Sequence, residues 1–150
     1  MTYKLPPQVI KIFKTFTKAG FEIYLVGGSV RDLLMNRQIH DWDFTTNAKP
    51  EEILALFPDS FYDNKFGTVG VKGEDDDVYE ITTFRTEGNY SDSRHPDKIS
   101  WGKTLEEDLA RRDFTINALA YDGKTFIDPY HGQEDIKEKI IRTVGDPNIR

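Results

Sequence analysis

After Pro6-Pro7, apolar residues Val9, Ile12, Phe13 and Phe16 recur at three- and four-residue spacing and stop at Gly20. This period predicts an amphipathic helix closed by a glycine. Phe21-Glu22-Ile23-Tyr24-Leu25-Val26 then reads as a strand running into Gly27-Gly28, with Ser29 placed to cap a short helix through Met35. His40-Asp41-Trp42-Asp43-Phe44-Thr45 is a second strand, and Asn47 to Phe57 a helix showing Ile53, Leu54 and Phe57 on one side. Thr68-Val69-Gly70-Val71-Lys72 and Val78-Tyr79-Glu80-Ile81-Thr82-Thr83-Phe84 form a predicted hairpin across the acidic turn Gly73-Glu74-Asp75-Asp76-Asp77.

From Arg85 to about Gly102 the sequence is polar and aperiodic, and reads as a mobile loop. Thr104-Leu105-Glu106-Glu107 fits a capping box opening a helix. Arg111-Arg112-Asp113 interrupts, and Phe114 to Tyr121 is expected to be helical again. Phe126-Ile127-Asp128-Pro129 reads as a short strand and Glu134 to Ile141 as a closing helix. Helices interleaved with a sheet that contains a hairpin predict an α/β (α+β) domain with a mixed sheet.

At 150 residues the chain has room for one domain with a real core. Its 20 Lys and Arg against 26 Asp and Glu give a formal charge of -6, opposite to the basic footprint of a free-standing nucleic-acid binder. There is no cysteine, so disulfides and thiolate metal sites are excluded, and His40, His95 and His131 lack ligand spacing. The N-terminal residues contain no apolar run of signal-peptide or membrane length, so a cytoplasmic protein without a membrane partner is expected.

Side chains two apart on a strand share a face, so Asp41 and Asp43 present two carboxylates to one side. Hard divalent ions such as Mg²⁺ take oxygen ligands of this kind, although an isolated pair of this spacing also suits a solvated turn. Gly27-Gly28-Ser29, entering a helix, would let backbone N–H groups face a phosphate, with Arg31 as a guanidinium clamp; the plain alternative is a positive-φ turn with Arg31 in solvent. Glu80 lies mid-strand between apolar neighbours and is either a third carboxylate of the site or an outward-facing strand residue. Arg111-Arg112-Asp113 could hold a triphosphate and a ribose hydroxyl, or form a surface ion pair.

Taken in order, Leu25-Val26-Gly27-Gly28-Ser29-Val30-Arg31-Asp32, Asp41-Trp42-Asp43-Phe44, Phe84-Arg85-Thr86-Glu87-Gly88 with Tyr90, and Glu107-Asp108-Leu109-Ala110-Arg111-Arg112-Asp113-Phe114-Thr115-Ile116-Asn117-Ala118 resemble class II tRNA nucleotidyltransferases (CCA-adding enzymes) and bacterial poly(A) polymerases. The resemblance spans residues 20–149 and implies a polymerase-β-like head, with Asp41 and Asp43 as the Mg²⁺-binding pair. It further implies that Gly28 and Arg31 hold the triphosphate of CTP or ATP, that Arg112 and Asp113 contact phosphate and ribose, and that the acceptor is the 3′ end of tRNA. The segment from Glu87 to Arg94 corresponds to the family's flexible loop, which takes part in switching from CTP to ATP. In the family, Gly145-Asp146-Pro147-Asn148-Ile149-Arg150 leads to a base-reading neck and to body and tail domains, so residues 1–150 are expected to be the catalytic head alone. CCA addition is the leading expectation; CC, A or poly(A) addition, and nucleotide binding without turnover, stand beside it. Modification of a small molecule is disfavoured by the context of Arg111-Arg112-Asp113.

Overall fold

The structure is a computed structural model that describes residues 3–63, 67–73, 77–85 and 103–145. The loop expected over 85–102 and the turn at 74–76 therefore lie outside the described residues, apart from Arg85. Helix α1 (Pro7–Lys18) starts on a proline, whose fixed φ suits a first helical turn. It ends where Gly20 takes φ +88 and Phe21 N–H returns to Phe16 O at 3.0 Å. Its Val9, Ile12 and Phe16 are fully buried, each contributing about 1.5–3 kcal/mol by leaving water.

That stripe packs on one face of a seven-stranded mixed sheet of order β3-β4-β5-β2-β1-β6-β7. The strands are β1 (Ile23–Val26), β2 (Asp41–Thr46), β3 (Phe61–Asp63), β4 (Thr68–Lys72), β5 (Val78–Thr83), β6 (Ala120–Tyr121) and β7 (Phe126–Ile127). Among the described residues, only β2 and β5 run parallel. Ile23, Leu25, Phe44, Val69, Val71, Tyr79 and Ile81 turn to the α1 side, where α3 (Pro50–Leu56) adds Ile53. The opposite face is covered near β1 and β6 by α4 (Leu105–Ala110), through Leu105 and Leu109 against Val26, Phe84 and Ala120. Over β2, β5, β4 and β3 the same face presents Asp41, Glu80 and Phe61, all exposed.

Four expectations need correction. Ser29 is not the cap of α2 (Gly28–Leu34): the cap position is Gly27, at φ 66 and ψ -138, backbone that only glycine adopts without strain. Residues 114–121 are not a helix but a 3₁₀ turn, Thr115–Asn117, followed by β6, because Ala120 and Tyr121 pair with Val26 and Leu25 along the free edge of β1. Strand β3 was not foreseen; three residues with two exposed side chains give no hydrophobic run to read. The closing helix α5 is Gly132–Glu138, capped earlier than expected by Asp128, whose carboxylate accepts Gly132 and Gln133 N–H at 2.6 and 3.0 Å.

Candidate active site

Gly27 lets β1 turn sharply into α2, and the missing side chains at this turn leave room for two guanidinium groups. A methyl group on Gly27 would come 3.1 Å from Arg112 Nη1, and one on Gly28 would come 3.2 Å from Arg31 Nη2. A cavity of about 350 Å³ opens there, bounded by Gly27, Gly28, Arg31 and Asn117 on one side and by Asp43, Arg112 and Asp113 on the other. With only seven residues, α2 has a weak dipole, so the two arginines supply most of the positive potential.

Each arginine is held from behind. Arg31 Nη1 donates to Asn117 Oδ1 at 3.0 Å, and its Nε to Asp32 at 3.1 Å. Arg112 Nη2 donates to Asp108 Oδ2 at 2.9 Å, while Arg111 reaches Asp108 Oδ1 at 3.4 Å. Asp108 is fully buried and also accepts Arg85 N–H at 3.0 Å, tying the end of β5 to the arginine pair. Arg112 Nε is buried with no hydrogen-bond partner among the described residues, a donor left over for an incoming oxygen.

Ser29 serves the strand behind the cavity. Its hydroxyl donates to Asp41 O and accepts Asp43 N–H, both at 2.9 Å, and so bolts α2 to the backbone between the two aspartates. Parallel pairing of β2 with β5 sets Glu80 beside Asp43, so the two side chains share one face of the sheet. The two carboxyl groups are neighbours across the paired strands. Burial first, then the Glu80 charge, push the Asp43 carboxyl from 3.8 up to about 7, with Arg112 opposing the shift. Asp41 is exposed on the same face one step earlier in the register, opposite Val78. Among the described residues no three acidic or histidine side chains already converge as a metal cage. Asp43 and Glu80 do converge, and their surplus negative charge is of the kind that a hard cation with oxygen ligands relieves.

The structure thus brings Gly27, Gly28, Arg31, Asp43, Arg112 and Asp113 around one cavity, with Glu80 beside Asp43 on the next strand and Asp41 exposed on the same sheet face. Asp108 and Asn117 were not singled out in the sequence, although both fall within the motif from Glu107 to Ala118. Their signal was a carboxylate and an amide at fixed distance from arginines, which only tertiary contact gives meaning.

Residues 23–142 match the family described as the poly A polymerase head domain. A CCA-adding enzyme of Lactobacillus helveticus is 53% identical over 154 aligned residues, covering 98% of this chain and 38% of that protein. The crystal structure of the Bacillus stearothermophilus CCA-adding enzyme in complex with CTP superposes with a TM-score of 0.80 at 42% identity, over 94% of this chain and 34% of that one. A Thermotoga maritima CCA-adding enzyme complexed with tRNA superposes at 0.69 and 27% identity, over 93% of this chain and 33% of that one. The chain therefore spans little more than a third of the length of these relatives. With the fold, the glycine turn, the arginine pair and the carboxylate pair all in the matched segment, the chain belongs to the poly A polymerase head domain family.

Proposed function

We propose that the chain is the catalytic head of a cytoplasmic, Mg²⁺-dependent nucleotidyltransferase that adds C and A nucleotides to the 3′ end of tRNA. The observation that carries this reading is the cavity in which Arg31 and Arg112 lie against a glycine turn directly beside the Asp43 and Glu80 carboxylates. The relatives' names support CCA addition, and their complexes support CTP and tRNA as ligands. Base selection and the gripping of tRNA belong, in this reading, to the neck, body and tail that follow such heads, which also accounts for the acidic charge of -6.

In the reaction, the RNA 3′ oxygen bonds to the α-phosphorus in line while the bond to pyrophosphate breaks. Arg31 and Arg112 hold the triphosphate oxygens from the two sides of the glycine turn. Asp113, exposed at the cavity edge, accepts a ribose hydroxyl. Asp41 and Asp43, with Glu80, would hold divalent ions, which when bound activate the attacking hydroxyl and neutralise the leaving pyrophosphate. For that, Asp43 must be ionised, and its carboxyl, held up at about 7 by burial and by the Glu80 charge, gives up its proton near neutrality. Calorimetric titration with CTP and ATP in Mg²⁺ tests the assignment: the Asp41→Asn, Asp43→Asn double variant should lose more than tenfold in affinity. Unchanged binding would remove the aspartates from the site. The family description also favours poly(A) synthesis as a second reading; sequencing the extended RNA ends separates a run of A from CCA.

A further inference from the structure

Backbone pairing sets four residues in one row across the open sheet face. Asp43 pairs with Glu80, Glu80 with Gly70, and Gly70 with Phe61. Residues paired in this way project to the same face, with neighbouring strands about 4.8 Å apart. The Phe61 ring lies flat on Gly70, so closely that a methyl group there would meet it at 2.4 Å, and glycine is what lets the ring lie down toward Glu80. Phe61 is nevertheless 60% exposed, and Val78, beside Glu80, is 44% exposed. With Thr68 and Asp63 these side chains bound a shallow cavity of about 190 Å³, the size of one flat group.

The carboxylates separate this platform from the triphosphate cavity. Arg31 and Arg112 lie on the β1 side of Asp43, and Phe61 on the β4 side of Glu80. In-line displacement requires the attacking oxygen to approach from the side opposite the departing pyrophosphate, which is the side of Phe61. Glu80 on its rim repels a phosphate, and the exposed Phe61 ring offers a flat apolar surface, so the group that fits is the face of a base. Exposed aromatic rings on an open sheet are a recurrent means of seating unpaired bases, and every base has a π-face. A sequence-tolerant seat suits an acceptor whose last base changes after each addition.

We infer that Phe61, laid on Gly70, is the stacking platform for the terminal unpaired base of the acceptor RNA. The inference rests on the proposed 3′-end transfer and names where its acceptor sits. A short single-stranded RNA ending in 5-iodocytidine, irradiated with saturating chain, should give a cross-linked peptide carrying Phe61. The Phe61→Ala variant should raise the KM for RNA about tenfold or more while the KM for CTP stays within twofold, and Phe61→Tyr should restore it. Phe61→Leu, which still covers Gly70, should not restore it, separating stacking from support of the sheet. Cross-linking elsewhere, or an equal change for RNA and CTP, overturns the platform. If the parent chain binds neither CTP nor ATP in Mg²⁺, the transfer reading fails while the cross-link still decides the platform.

Discussion

Asp108 and Asp43 both touch the candidate active site, in opposite surroundings. Asp108 is fully buried, yet receives Arg112, Arg111 and the Arg85 N–H, so its charge is compensated on every side. Asp43 is only partly buried, but its neighbours are Glu80 and Asp41, with Arg112 alone in opposition. Burial by itself therefore does not separate a structural carboxylate from a reactive one; the balance of partners does. A compensated charge fixes neighbours in place, and an uncompensated one keeps an appetite for a cation.

Removing the compensated charge should have the largest effect on the fold. Asp108→Ala strands two guanidinium groups and an N–H, and is expected to lower unfolding free energy by about 3–5 kcal/mol in urea titrations. The milder Asp108→Asn should fold and bind CTP more than tenfold more weakly. Unchanged CTP affinity in Asp108→Asn would show that Arg112 does not depend on it. For Asp43 the effect is smaller and has the opposite sign. Its carboxyl titrates higher in the folded chain, so protonation favours the fold, and that stabilisation is lost as pH rises through about 7. Without divalent ions, the Tm of the parent should fall relative to Asp43→Asn between pH 5 and pH 8, and Mg²⁺ should recover it more at pH 8 than at pH 5. A pH-independent difference would mean that burial and the Glu80 charge do not hold the Asp43 carboxyl up. The smallest effect is expected from Asn117→Ala, which frees Arg31 from its 3.0 Å tether. CTP affinity should drop a few-fold with stability changed by about 1 kcal/mol, read by calorimetry and thermal melting together.

The parts of this architecture legible from sequence were those governed by local rules. The α1 stripe closing at Gly20, the strand entering Gly27-Gly28, and the alternation that puts Asp41 and Asp43 on one face are all set by period and by glycine. Glu80 stayed ambiguous because its strand alternates either way; only the parallel register with β2 placed it at Asp43. Residues 114–121 misled because Ala118, Leu119, Ala120 and Tyr121 suit a helix in isolation, whereas the unpaired edge of β1 claims Ala120 and Tyr121. Asp108 was hidden among Glu106 and Glu107 in the first turn of α4, where three acids satisfy the helix dipole equally well. Which of the three turns inward depends on Arg111 and Arg112, three and four residues on, and on Arg85, which lies far before the helix start in sequence.

The hydroxyl of Ser29 acts as the spacer of a ruler. Because it grips β2 on both sides of Trp42, the first turn of α2 and the carboxylate strand share a single origin of measurement. One oxygen atom thus sets the span between the arginine-lined glycine turn and the carboxylate strand, the two parts that the proposed reaction needs at a fixed separation.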